Sequence, residues 1–363
     1  MKLGIPKEHQ DRRVALVPAT LPKLKELGLE ILVEKGAGAS AMFEDADYEA
    51  NAQLVSRQEL FAQSDMILSV NPLSDAEYQS LPANTIVISM FQPYVDATIT
   101  DKLRGWNLRG MSFDMIPRTT LAQSMDVLSS MAAVAGYKAV LEAASHLPRY
   151  FPMMITAAGS IPPSKVLVLG AGVAGLQAIA TAKRLGAQVE AFDTRQAAKE
   201  EVESLGAKFV EVAGAKDDKG AGGYAVQQSE EYLQRQREEV QIRASKADVI
   251  ITTAQVRGRK APILLPAETV EKMKRGSIVV DLAASTGGNC ELTQDDKVIE
   301  HNGVTIIGNS YLAAQMPQDS SFLFSNNALN FLKTLVKKGG ELNLDMENEI
   351  IRGAFFTAPA EEV

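Results

Sequence analysis

The sequence has little that staples, spans or binds polyanions. One cysteine, Cys290, stands in 363 residues, which excludes an intramolecular disulfide framework and fits a reducing compartment. No uninterrupted apolar run approaches the ~18 residues a membrane-spanning helix needs, so direct membrane insertion is not expected. The opening MKLGIPKEHQDRR is charged from its start and lacks the apolar centre of a secretory signal, and a cytoplasmic location is expected. Lys and Arg number 37 against 45 Asp and Glu, and the net charge of −8 argues against a nucleic-acid partner. What remains, 46% hydrophobic and 23% charged residues over a length that fits two domains, describes an ordinary globular chain.

One stretch organises the rest: SKVLVLGAGVAGLQAIATAKRLGAQVEAFD, residues 164–193. A short apolar run (166–169) of the kind buried on both faces of a sheet leads into a GxGxxG turn. Helical spacing then continues to Gly186, and a second strand (189–192) ends on Asp193. Gly170 permits the tight strand-to-helix turn, Gly172 lets a pyrophosphate approach the backbone, and Gly175 lets the helix sit close on the strand. Val173 opens the helix, whose unpaired N–H groups hold phosphate. Asp193 stands 18 positions after Gly175, where an acid accepts both ribose hydroxyls of NAD and repels the 2′-phosphate of NADP. Thr194 and Arg195 continue that edge, and Arg195 softens the repulsion. GxGxxG alone is weak evidence, but strand–turn–helix–strand–Asp is its confirming context. NAD(H) binding is expected.

Before this stretch, residues 1–113 alternate strand-like runs (2–5, 29–34, 65–70, 85–90, 108–113) with helical patterns such as 20–27 and 96–106, which implies parallel βαβ units. A Pro-containing loop and a long helical pattern follow in IPRTTLAQSMDVLSSMAAVAGYKAVLEAASHL (116–147). After the organising stretch, further strands are predicted at 208–212, 248–253, 277–282 and 304–307. Residues 213–225 form a Gly-rich loop with Tyr224 as its one aromatic, and 227–245 a polar helix. An amphipathic helix at 320–337 and a strand at 349–356 are expected to return to the first domain. The expected fold is α/β, two Rossmann-like parallel-sheet domains joined by a long helix, the first domain discontinuous. Its divisions are 1–125 with 320–363, a bridging helix 126–147, and an NAD(H)-binding domain 148–319.

RVALVP (13–18), PRTTLAQSMDVLSSMAAVAGY, ITAAGSIPPSKVLVLGAGVAGL and VDLAASTGGNCE together resemble the NAD(H)-binding domain I of proton-translocating nicotinamide nucleotide transhydrogenase. The likeness runs end to end, as in a separate α1-type subunit. It implies direct hydride transfer between NAD(H) here and NADP(H) on a partner subunit, coupled to proton translocation by membrane-spanning partners. It also implies a homodimer, and attachment at the inner membrane only through those partners. The family's R…Q..D loop on the nicotinamide face falls here on Arg118, Gln123 and Asp126, with Ser129 one helical turn further. Such chemistry needs positioning rather than an acid or base. The competing reading is that Gln123 and Asp126 only cap the long helix. Gly223 and Tyr224 match the tip of the family's mobile loop over NAD(H). Gln255 departs from a leucine the family often places near the adenine.

The alanine dehydrogenase family shares this architecture and is the rival: a stand-alone NAD-dependent amino-acid dehydrogenase. That family uses a lysine, a histidine and an aspartate where this chain has Asn71, Gln92 and Ser285. Reduction of a keto acid to an amine requires a proton donor at the carbonyl, and His9, His146 and His301 do not stand in those motifs. Arg13 persists but by itself only binds an anion. Cys290 has no histidine beside it in sequence and reads as a buried filler. A regulatory NAD-sensing module is the third and weakest reading.

Overall fold

The structure, a computed structural model, describes residues 1–212, 230–255 and 258–358. It divides into two compact units, Met1–Met131 with Ala313–Val363, and Ala132–Leu312. The first unit holds a six-stranded sheet made of β1 (Lys2–Ile5), β2 (Glu30–Glu34), β3 (Gln53–Val55), β4 (Met66–Leu68), β5 (Ile86–Ser89) and β6 (Arg109–Ser112). Its order is β3-β2-β1-β4-β5-β6 and every pairing is parallel. Helices follow most strands, as parallel pairing requires of its crossovers. The helix Pro317–Leu335 belongs to this unit's core, where Phe324 and Phe331 meet Phe113 edge-on at 5.2 and 5.6 Å between ring centres.

The second unit contains a short hairpin, β7 (Met154–Thr156) and β8 (Gly159–Ile161), and a seven-stranded sheet. That sheet comprises β9 (Lys165–Leu169), β10 (Gln188–Phe192), β11 (Lys208–Phe209), β12 (Val249–Thr252), β13 (Ile278–Asp281), β14 (Val298–His301) and β15 (Val304–Ile307). The order is β11-β10-β9-β12-β13-β15-β14, parallel but for β14. Strand order reverses beside β9, and ligands of such sheets enter at the carboxyl ends of the strands flanking that reversal. The sheet of the first unit reverses likewise beside β1.

Expectation and structure differ in instructive places. Residues 349–356 are not a strand: Glu349–Ala354 is helical, because the Asn348 side chain accepts from the N–H groups of Ile350 and Ile351 and starts a helix there. The three-residue β3, the hairpin and the antiparallel β14 carry no pattern long enough to announce them. The long helix, Val127–His146, has 20 residues and a mean hydropathy of 1.2, the length and composition of a span. That amends the expectation of no such segment. Yet it carries a Lys138–Glu142 ion pair, and Ala139, Val140 and Ala143 pack against Val166 and Val168 in the core of the second unit.

Candidate functional site

In the second unit the glycine turn sits at the carboxyl end of β9, and each glycine does something different. Gly170 has φ +103°, open to glycine and costly for other residues, and a Cβ there would lie 2.5 Å from Thr253 Oγ1. A Cβ on Gly175 would lie 1.9 Å from the Gly170 carbonyl oxygen, so turn and helix touch with no room for a methyl. Gly172 differs: its φ is −76° and nothing lies within 4 Å of the position its Cβ would take. It is the N-cap of the helix Val173–Arg184 and no side chain caps that end, which leaves first-turn N–H groups available to an anion. Gly136 on the long helix packs as tightly, its Cβ position 2.1 Å from the Ala174 carbonyl oxygen. Turn, helix and open approach together fit a dinucleotide pyrophosphate.

Asp193 follows β10 and is nearly buried, its side chain 9% exposed. One carboxylate oxygen accepts from Ala171 N at 2.7 Å and Arg195 Nη2 at 3.1 Å. The other accepts from Arg195 N at 2.8 Å and Arg195 Nε at 3.0 Å. Arg195 Nη2 also reaches the Ala171 carbonyl at 3.2 Å. The acid, the arginine and the glycine turn therefore form one bonded unit at the rim. Thr194 lines a neighbouring cavity of about 560 Å³ with Phe192, Gln241, Ile263 and Leu264. Gln255, after β12, turns its amide to the Leu282 carbonyl at 2.8 Å. Gly223 and Tyr224 lie outside the described residues.

Two residues here carry no motif of their own. Thr253 donates to the Gly170 carbonyl at 3.1 Å and backs the turn. Asn289, fully buried, accepts from Ala254 N at 3.0 Å and donates to the carbonyls of Ala254 and Pro262, both at 2.8 Å. Asp281 in turn fixes it, accepting from the N–H groups of Asn289 and Cys290 and from Thr252 and Thr293. The signal for this scaffold was the VDLAASTGGNCE segment, whose buried acid ends β13.

In the first unit Arg118, Gln123, Asp126 and Ser129 line one cavity of about 420 Å³, with Phe113, Thr119 and Leu128. Arg118 and Gln123 are exposed and, among the described residues, have no side-chain hydrogen-bond partner. Asp126 does cap: its carboxylate accepts from Ser129 N at 2.9 Å and Ser129 Oγ at 2.6 Å at the start of the helix Val127–His146. The capping interpretation thus holds for Asp126 and has no support at Gln123. Capping leaves Asp126 on the cavity wall, so the two roles are compatible.

The reversal point of the first sheet is filled by the chain's own polar groups. Glu8 accepts from Val70 N at 2.6 Å, Asn71 N at 3.1 Å and Asn71 Nδ2 at 3.1 Å. Burial pushes the Glu8 carboxyl up to about 6, against those bonds and with Asp11 adding repulsion. Burial works on Asp11 too, but its bonds to Arg13 hold it below the usual range. Asn71 and Arg13 are thereby spent on Glu8 and Asp11. Gln92, in the left-handed region at φ +51°, anchors its N–H on Asp114, and Ser285 lies in the turn Ala284–Thr286. His9, His146 and His301 each stand beside a glutamate, Glu77, Glu142 and Glu271. Cys290 is buried and its thiol pushed up to about 11 by that burial, which leaves it no thiolate character. No acid–base set is assembled from these groups among the described residues.

Comparisons with known proteins identify the family and the fold. Residues 4–135 match the family model "Alanine dehydrogenase/PNT, N-terminal domain" and residues 139–361 the model of its C-terminal domain. The chain is 42% identical to the NAD(P) transhydrogenase subunit alpha of Haemophilus influenzae, over 100% of this chain and 72% of that one. It superposes on a transhydrogenase from Sinorhizobium meliloti with a TM-score of 0.89 and 41% identity, covering 98% and 97% of the two chains. An L-alanine dehydrogenase structure superposes with a TM-score of 0.78 and 26% identity, covering 97% and 94%.

Proposed function

This chain belongs to the alanine dehydrogenase/PNT family, and we propose that within it the chain is the NAD(H)-binding alpha subunit of an NAD(P) transhydrogenase. Its partners in this reading are the membrane-spanning and NADP(H)-binding subunits, it pairs with a second copy of itself, and it is held at the inner membrane through those partners. NAD(H) supplies the hydride, which passes directly to NADP⁺ on the partner, and the complex couples this to proton translocation. The residues Gly170, Gly172, Val173 and Gly175 hold the pyrophosphate by backbone approach and helix N–H groups. Asp193 holds the adenosine ribose. Arg118, Gln123, Asp126 and Ser129 orient the nicotinamide. Gln255 borders the adenine.

The single observation that carries the choice over a free-standing dehydrogenase is the consumption of Asn71 and Arg13 by Glu8 and Asp11. A dinucleotide site is kept while the groups that would handle a keto acid are absent or internally satisfied. Asp193→Ala tests the cofactor side. A hydrogen bond to a charged group contributes about 1.5–3 kcal/mol, so NADH affinity should fall roughly tenfold or more, at ~1.4 kcal/mol per decade. Calorimetry showing unaltered NADH affinity in that variant would remove Asp193 from the site.

A further inference from the structure

We infer that Arg195 is a competitor for the ribose acid and, once displaced, a counter-charge for a 2′-phosphate, so that it sets how sharply the site separates NADH from NADPH. The inference rests on Asp193 being the ribose acid. An ionised carboxylate offers about four lone-pair positions. Asp193 has four donors on it: Ala171 N, Arg195 N, Arg195 Nε and Arg195 Nη2, at 2.7, 2.8, 3.0 and 3.1 Å. The acid is saturated, and two ribose hydroxyls bind it only by displacing donors. The two backbone donors are fixed by the turn and by the chain following β10. The two guanidinium donors are the ones able to leave, on a side chain 36% exposed, and their departure also gives up the 3.2 Å bond from Nη2 to the Ala171 carbonyl.

Displacement has opposite consequences for the two dinucleotides. For NADH the guanidinium is a cost, because its two charge-assisted bonds must be given up before the ribose hydroxyls are accepted. For NADPH the same guanidinium remains tethered two residues from Asp193, and a planar fork of donors suits a phosphate. It therefore offsets the repulsion between Asp193 and the 2′-phosphate. An aspartate alone would discriminate strongly; Asp193 with Arg195 discriminates less and binds NADH less tightly than the acid by itself allows.

Arg195→Gln isolates the effect, since it keeps the backbone N–H that orients Asp193 and removes the charged fork. Arg195→Lys keeps the charge without the fork. NADH and NADPH are titrated separately into the wild type and both variants by calorimetry, at low and high salt, with thermal unfolding to confirm the fold. Arg195→Gln should bind NADH several-fold more tightly and NADPH about tenfold more weakly, the scale of one lost charge-assisted bond. Its NADPH affinity should also lose salt dependence. Arg195→Lys should keep most of the NADPH affinity. If NADH weakens in Arg195→Gln, or the ratio of the two affinities stays fixed, the competition does not exist and Arg195 only braces Asp193. Unaltered NADH binding in Asp193→Ala is a different failure, because it removes the ribose acid itself.

Discussion

Two glycines three positions apart, Gly172 and Gly175, should both lose NADH affinity when replaced by alanine, but only one of them should lose stability. In Gly175→Ala the new methyl would stand 1.9 Å from the Gly170 carbonyl oxygen. The closest tolerated carbon–oxygen contacts are about 3.3 Å, so turn and helix must separate by about 1.4 Å. Overpacking of this kind costs about 1–3 kcal/mol. The same movement carries the helix N–H groups from hydrogen-bond distance, about 2.9 Å, to beyond 4 Å from a phosphate held by the turn. NADH affinity should drop at least tenfold, and urea unfolding should show the stability loss with an unchanged slope. In Gly172→Ala the methyl meets nothing within 4 Å and the φ of −76° suits any residue. The loss of a glycine N-cap and the reduced freedom of the unfolded chain nearly cancel, leaving stability within about 1 kcal/mol. NADH affinity should nonetheless fall, because the methyl occupies the approach of the pyrophosphate. Urea titration and NADH calorimetry on both variants separate the roles. Normal NADH binding by Gly172→Ala would refute the placement of the phosphates, and a stable, NADH-competent Gly175→Ala would refute the tight contact.

The remaining predictions concern the first unit and the missing acid–base set. Glu8 is raised to about 6 from an ordinary 4.5, so between those values the folded chain binds more protons than the unfolded one, and stability rises as pH falls through that window. The contribution is about 2 kcal/mol at ~1.4 kcal/mol per unit, fully present below the unfolded value and lost as pH climbs through the folded one; denaturant melts across that window should show it, and Glu8→Gln should flatten the profile. The isolated chain should not oxidise L-alanine or reductively aminate pyruvate, and steady-state turnover near ordinary enzyme values, about 1–1000 per second, would reject the transhydrogenase role.

Much of the fold is written in long-range pattern, and what pattern misses is short. Strands buried on both faces, such as β9, β12 and β13, read as continuous apolar runs because parallel sheets are covered on both sides. The glycine turn was legible because its chemistry demands particular residues at fixed spacing. The terminal segment EIIRGAFF reads as a strand by its β-branched run, while the deciding residue is the cap Asn348 just before it. At the site, Asp193 was legible, but its saturation was not, since the Ala171 N–H comes from 22 positions away. Nor does any local pattern show that Asn71 is spent on Glu8, 63 positions earlier. Such pairings exist only once β1 and β4 lie side by side.

Direct hydride transfer from NADH on this chain to NADP⁺ on a partner can be watched by single-turnover stopped flow. The protein carrying NADH is mixed with the NADP⁺-loaded partner subunit, and transfer is followed for wild type and Gln123→Asn, beside equilibrium NADH titrations. Hydride transfer between two nicotinamides depends on positioning, and Gln123 lines the cavity of Arg118 and Asp126 with its amide unspent among the described residues. The wild type should transfer rapidly, and Gln123→Asn should keep nearly unchanged NADH affinity with severely slowed transfer. Absence of transfer by the wild type with a competent partner, or a variant that loses affinity yet keeps its rate at saturation, would contradict that expectation.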